Sequence, residues 1–277
     1  MRNGHYIIDA HCHIYPEKIA KKAALHISEF YEGIPYIGGD TDTLLRLMDE
    51  QGIDYAVVNS AAMTPHQVGS VNRFILEMTL LHADRFAHVG SIHPDCTAEE
   101  QDEAIRFLTD NHFHGIKLHP DMICVAIDDP RMMKIYARCN EAKLPVLLHT
   151  GDPRYDYSNP NRLEPVLKTF PELTVIGGHF AGREVFCEAA DKLHGYPNLF
   201  ADCSSAFDAM THEEIMYCIR TYGTKKLMFG TDYPVMRPHE DLDIMLALPL
   251  GEEEMEDLLW RSAVQIYKLS PPWMNGK

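Results

Sequence analysis

Eight short apolar runs recur along the chain, separated by segments of helical period, and most of them end on a polar side chain. They lie at 6–11, 55–60, 87–93, 115–119, 145–149, 173–179, 198–203 and 226–232. Their brevity and nearly continuous apolarity suit parallel strands that are covered on both faces. Between them, Thr97-Ala-Glu-Glu100 and Thr211-His-Glu-Glu214 read as capping boxes, in which a threonine hydroxyl and a glutamate three residues on satisfy free backbone donors. These predict helices over 97–111 and 211–222, and helical period predicts others at 43–51, 70–83, 131–142, 161–170, 183–194 and 252–269. Eight alternating units predict an α/β chain closed into a (β/α)8 TIM barrel, one domain over residues 1–277. Residues 15–40 exceed what one connection needs. A helix at 17–31 followed by Gly33, Pro35, Gly38 and Gly39 reads as an insertion after strand 1. No G-x-G-x-x-G follows the first run, which counts against a doubly wound dinucleotide fold.

In a barrel of this type, catalytic groups gather at the C-terminal ends of the strands. Here those ends carry His11 and His13, Asn59, His93, Lys117 and His119, His149, His179, Asp202 and Asp232. The chain holds 16 histidines, and imidazole is the commonest metal ligand among side chains. In His11-Cys-His13, the alternation of an extended strand puts both rings on one side, where one metal can take both. A second H-x-H, His112-Phe-His114, falls at the opposite rim and reads as a solvated turn. His149 ends the most apolar strand, His179 follows Gly177-Gly178, and Asp232 lies in Phe229-Gly-Thr-Asp-Tyr-Pro234. Three histidines and a carboxylate offer N and O ligands to zinc and leave a position for water. Water on such an ion ionises near neutral pH.

Composition narrows the partners. With 41 acidic against 25 basic side chains, the formal charge of −16 repels nucleic-acid backbones and anionic membrane surfaces. The expected partner is a small molecule. The seven cysteines include no C-x-x-C, the N-terminus lacks a signal-peptide apolar stretch, and no run approaches a membrane span. A reduced cytoplasmic protein is expected, and self-association into a homo-oligomer is compatible with the barrel.

Five segments carry a family resemblance: Asp9-Ala-His-Cys-His13, Gly115-Ile-Lys-Leu-His-Pro120, Leu147-Leu-His-Thr-Gly151, Gly177-Gly-His-Phe-Ala-Gly182 and Phe229-Gly-Thr-Asp-Tyr-Pro234. In this order they resemble the metal-dependent amidohydrolase superfamily. The likeness is strongest to its amidohydrolase-related branch, which includes aminocarboxymuconate-semialdehyde and resorcylate decarboxylases. The resemblance implies His11, His13, His149 and Asp232 on one divalent ion, Zn²⁺ or Mn²⁺, with His179 polarising the substrate or orienting water. Some relatives bridge two ions at strand 4 with a glutamate or a carboxylated lysine. Lys117, followed by His119, therefore has three readings: carboxylated, with two ions; in contact with an anionic substrate; or in a structural ion pair.

Arg154 and Arg183, after strands 5 and 6, are candidates to fork onto a substrate carboxylate. Asp202 is expected to orient a neighbour, and His93 to line the mouth. The leading expectation is a metal-dependent hydrolase of a small carboxylated or cyclic compound, with Asp232 accepting the water proton and His179 stabilising the oxyanion. Two alternatives stand beside it. One is a nonoxidative decarboxylase of an aromatic or dienoic acid on the same ligands, and the other a non-catalytic metal-binding barrel.

Overall fold

Parallel strands and intervening helices follow one another from end to end in the computed structural model, which describes residues 1–235 and 238–275. The strands are β1 (Ile8–His13), β2 (Tyr55–Asn59), β3 (Phe86–His88), β4 (Ile116–Leu118), β5 (Val146–Leu148), β6 (Val175–Gly177), β7 (Leu199–Asp202) and β8 (Leu227–Met228). Each lies parallel to its partners, in a three-stranded sheet β1-β2-β3 and a five-stranded sheet β4-β5-β6-β7-β8. The chain has the (β/α)8 architecture, but its two sheets do not merge into one ladder. At one seam Gly90 bridges Ile116, and at the other Cys12 bridges Tyr233. Three further bonds hold the second seam: Ala10 N–H to the Phe229 carbonyl (2.9 Å), Asp232 N–H to His11 (2.8 Å) and His13 N–H to Tyr233 (2.6 Å).

The helices are α1 (Glu17–Phe30), α2 (Thr41–Gln51), α3 (Val68–Leu81), α4 (Ala98–Asp110), α5 (Pro120–Ile123), α6 (Pro130–Ala142) and α7 (Pro160–Thr169). They continue with α8 (Phe186–Leu193), α9 (His212–Tyr222), α10 (Pro238–Ala247), α11 (Glu252–Glu256) and α12 (Ser262–Tyr267). Both predicted capping boxes are formed, on α4 and α9. The helix α1 is the predicted insertion after β1. Among the described residues, no helix is long and apolar enough to cross a membrane.

Strand alternation divides the core into two layers. Ile116, Leu118, Val146, Leu148 and Val175 face the helices, while Ile8, Val57, Leu147, Ile176 and Met228 fill the barrel interior. Lys117 takes the inward phase of β4 and is wholly buried. The rim above this interior layer is where the polar strand ends meet.

Candidate active site

Strict alternation along β1 would put the two histidines of His11-Cys-His13 on the wrong face. Ile8 and Ala10 pack inside the barrel, so an unbroken strand would send Cys12 inward and both imidazoles out. The pairing with β2 instead shifts register between Asp9 and Cys12. This irregularity re-phases the strand end, as β-bulges do: Cys12 joins the outer layer and both histidines turn inward. Asp9 secures the seam below by accepting from Thr231 N–H (3.0 Å) and Thr231 Oγ1 (2.6 Å).

His11 Nε2 lies 3.2 Å from His13 Nε2, and Asp232 Oδ1 lies 3.4 Å from the first and 3.2 Å from the second. One ligand atom from each of the three residues sits within 4.8 Å of the others, a spacing that suits a shared cation. The surroundings favour the same fit. His11 Nδ1 faces Asp202 Oδ2 at 3.0 Å, so its proton is held on that side and the Nε2 lone pair is presented to the cluster. Burial pushes the His13 ring down to about 4, against the opposing pull of Asp232, and leaves it neutral as a ligand must be. Asp232 sits at φ +63°, a conformation uncommon outside glycine, with Oδ2 fixed by the Ser205 hydroxyl at 2.7 Å. Two neutral imidazoles and a carboxylate make an N/O donor set that a divalent transition ion accepts. Glycine keeps the space clear, because a Cβ on Gly230 would lie 3.0 Å from His11 Cβ.

His149 stands outside this tight group and belongs to a chain of directed hydrogen bonds. The Met122 N–H donates weakly to His119 Nδ1 (3.4 Å), so His119 carries its proton on Nε2, 2.9 Å from the Tyr31 oxygen. Tyr31 can then donate to His149 Nε2 at 3.1 Å. At the other end, the Ser204 carbonyl accepts from His179 Nδ1 (2.8 Å), leaving His179 Nε2 to accept from His149 Nδ1 (3.0 Å). Backbone groups at both ends thus fix every tautomer between them. His119 also stacks on His149, with centroids 4.1 Å apart and planes 8° from parallel. Burial depresses all three rings, His179 to about 4.

The other candidates divide. Lys117 Nζ lies 2.9 Å from His11 Nε2, and burial lowers its pKa to about 8 although Asp232 and Asp202 pull it up. No carboxylate pairs with it among the described residues. The inner cavity, about 90 Å³, is lined by His13, Tyr31, His119, His149 and Asp232 among others, but not by Arg154, Arg183 or His93. Arg154 forks onto Asp152 and donates to the Phe30 carbonyl (2.6 Å), while the Arg183 guanidinium lies over the Tyr31 ring at 4.6 Å. The insertion therefore stands between both arginines and the cavity, and their expected grip on a substrate carboxylate is not formed. His93 is buried and accepts from the Asp95 N–H (3.2 Å), so it does not line the mouth. Of the pair at the opposite rim, His112 is exposed as expected. His114 is half-buried, its Nδ1 bonded to the Tyr267 carbonyl (2.8 Å) rather than to solvent.

Two residues went unforeseen. Tyr31 ends the insertion, where no periodicity marks a functional side chain. Asp121 is buried 3.8 Å from His149 Nε2, and burial raises its pKa to about 7. Its only sequence signal was its place just after the strand-4 motif.

A profile of the amidohydrolase family matches residues 8–269, nearly the whole chain and all the strand ends described above. The chain belongs to the amidohydrolase family. No curated protein matches it by sequence. Among solved structures, it is similar to an uncharacterised TIM-barrel protein from Bordetella bronchiseptica, with 21% identity, a TM-score of 0.79, and 95% of this chain and 98% of that one covered. The 5-carboxyvanillate decarboxylase of Sphingomonas paucimobilis matches with 14% identity and a TM-score of 0.74, over 96% and 99% of the two chains. A dihydroxybenzoic acid decarboxylase from Polaromonas, with bound manganese and the inhibitor 2-nitroresorcinol, matches with 16% identity and a TM-score of 0.71, over 96% and 97%. At these identities the likeness establishes the barrel fold of this amidohydrolase-family chain.

Proposed function

We propose that this amidohydrolase-family protein is a metal-dependent, nonoxidative decarboxylase of a small aromatic or dienoic acid. The observation that carries the choice is the wall of the inner cavity. Apart from its histidines and Asp232 it is largely apolar, with Ile27, Ala61, Met63 and Val235 facing the space. An acid drawn into such a wall loses solvation around its carboxylate, whereas carbon dioxide and a neutral ring lose little. The decarboxylases of similar fold support the same reading. Hydrolysis, expected from the motifs, has less support, since both similar structures of named activity above are decarboxylases.

In this reading His11, His13 and Asp232 hold the ion and His149 completes the set. Manganese is supported by the Polaromonas structure, and zinc fits the same donors. When bound, the ion would supply positive charge that attracts the acid and offsets negative charge developing on it. Asp232 carries the proton. As the bond to the carboxyl carbon breaks, its electron pair stays on the ring carbon, which takes a proton from Asp232 while carbon dioxide leaves. Solvent then restores the proton. His179, through His149, fixes the ring that faces the substrate.

The test is carbon dioxide release from dihydroxybenzoates and carboxyvanillate by manganese-loaded protein. Release is expected, with a fall of at least about 10³-fold in Asp232→Asn. Cleavage of amides or lactones without carbon dioxide would restore hydrolysis. Neither turnover nor metal uptake would favour the non-catalytic barrel.

A further inference from the structure

A second cavity, of about 440 Å³, opens between α1 and α3, and nothing in the proposed chemistry uses it. Two helix faces form it. Ile19, Lys22, Ala23 and His26 come from α1, and Gln67, Ser70, Val71 and Phe74 come from the start of α3 and the residue before it. Both sets follow the i, i+3, i+4, i+7 spacing of one helical face. Ile19, Ala23, Val71 and Phe74 are the apolar members of these faces; such side chains ordinarily pack on a neighbour, yet here they border open space. Ile19 at the mouth is 50% exposed.

The outer chamber adjoins the inner one and shares part of its lining. Tyr15, Ala23, His26, Ala61 and Met63 line both. The inner space alone is far below the ~300–1,000 Å³ of ordinary small-molecule sites, and the two together reach that range. We propose that the outer chamber is a substrate subsite: the acid head sits against His13, His149 and Asp232, and an alkyl or second-ring substituent extends between α1 and α3. The substrate class is thus an acid bearing an apolar extension, rather than a bare hydroxybenzoate. This rests on the reading of the inner cavity as the acid site.

The test is binding, which needs no turnover. Calorimetry on manganese-loaded protein compares benzoate with 3- and 4-alkylbenzoates from methyl to butyl. Each added methylene is expected to lower Kd about threefold to fourfold, as apolar burial does. Val71→Trp, which fills the chamber, should remove that dependence and leave benzoate unchanged. Should that variant not fold, Phe74→Ala should weaken butylbenzoate at least about threefold and again spare benzoate. Benzoate binding with no length dependence overturns the subsite alone, and so does a length dependence that both variants retain. No acid binding at any length overturns both readings. Length-dependent binding without carbon dioxide release supports the subsite and overturns the decarboxylase.

Discussion

At the scale of single residues, the side chain that organises most of the site lines neither of the two cavities described above. Asp202 accepts from His11 Nδ1 on one oxygen, and on the other from the His179 N–H (3.1 Å) and the Ser204 N–H (3.1 Å). Burial alone would raise its pKa, but the hydrogen bonds it accepts from His11 and Ser204 are among the influences that outweigh it and hold the carboxyl well below the usual range. Asp202→Asn keeps the shape and removes the charge. Its amide would favour the other His11 tautomer, with a proton on the atom that should face the ion. A fall of roughly 10- to 100-fold in Mn²⁺ affinity is expected, with little change in the circular dichroism spectrum. Titration against a competing chelator measures it, and undiminished affinity would remove Asp202 from this role. His11, His13 and Asp232 were legible in the sequence because the strand-end rule reads chemistry from position. The same rule took in Arg154, Arg183 and His93 because position does not say what comes between a side chain and the cavity. Here Tyr31 and the last turn of α1 come between the two arginines and the cavity.

At the scale of elements, eight strands and the flanking helices other than α5 and α10 could be read from apolar runs, helical period and capping boxes. Two further features could not. The register shift in β1 depends on how the strand pairs, and period-2 alternation carries no sign of it. Strands such as β3 also end sooner than their apolar runs do: Val89 still donates to the Val58 carbonyl of β2 (3.0 Å), but Gly90 turns away to bridge the seam to β4.

The inserted helix α1 closes the site and is fastened at its C-terminal end. Arg154, clamped by Asp152, donates to the Phe30 carbonyl and lies over the Phe30 ring at 5.1 Å and the Tyr31 ring at 5.3 Å. One hydrogen bond and these ring contacts stabilise the closed position by roughly 1–2 kcal/mol. Arg154→Ala is therefore expected to speed amide hydrogen exchange in residues 17–31 about 5- to 30-fold, with the barrel strands unaffected. Equal rates in the two proteins would mean that α1 is held elsewhere. Arg154→Lys should not restore protection, since an ammonium cannot reproduce the forked pairing.

At the scale of the whole molecule, burial displaces histidines and carboxylates in opposite senses, and the balance sets stability against pH. Burial lowers His13, His88 and His179 to about 4, against an unfolded value of ~6.5, so the unfolded chain binds more protons in that interval. Stability from these groups is complete above about 6.5 and is lost as pH falls towards 4. Asp121 and Asp241 run the other way. Burial raises them to about 7 and about 8, and Asp241 Oδ2 has no hydrogen-bond partner among the described residues. Their protonated forms favour the folded state, so their contribution falls as pH rises from about 4 to those values. Between 4 and 6.5 the depressed histidines, His119 and His149 among them, outnumber these two carboxylates, so stability should rise with pH. Above 7 Asp241 is still giving up its proton, which lowers stability towards pH 8, while Lys117, depressed to about 8, begins to lose its own and offsets part of the decline. Urea unfolding in excess chelator, which removes metal linkage, should show a maximum between pH 6 and 7. Asp241→Asn should abolish the decline and stabilise the protein by a few kcal/mol at pH 8, with little effect at pH 4. A variant no more stable than the parent at pH 8 would show that Asp241 already ionises freely in the folded chain.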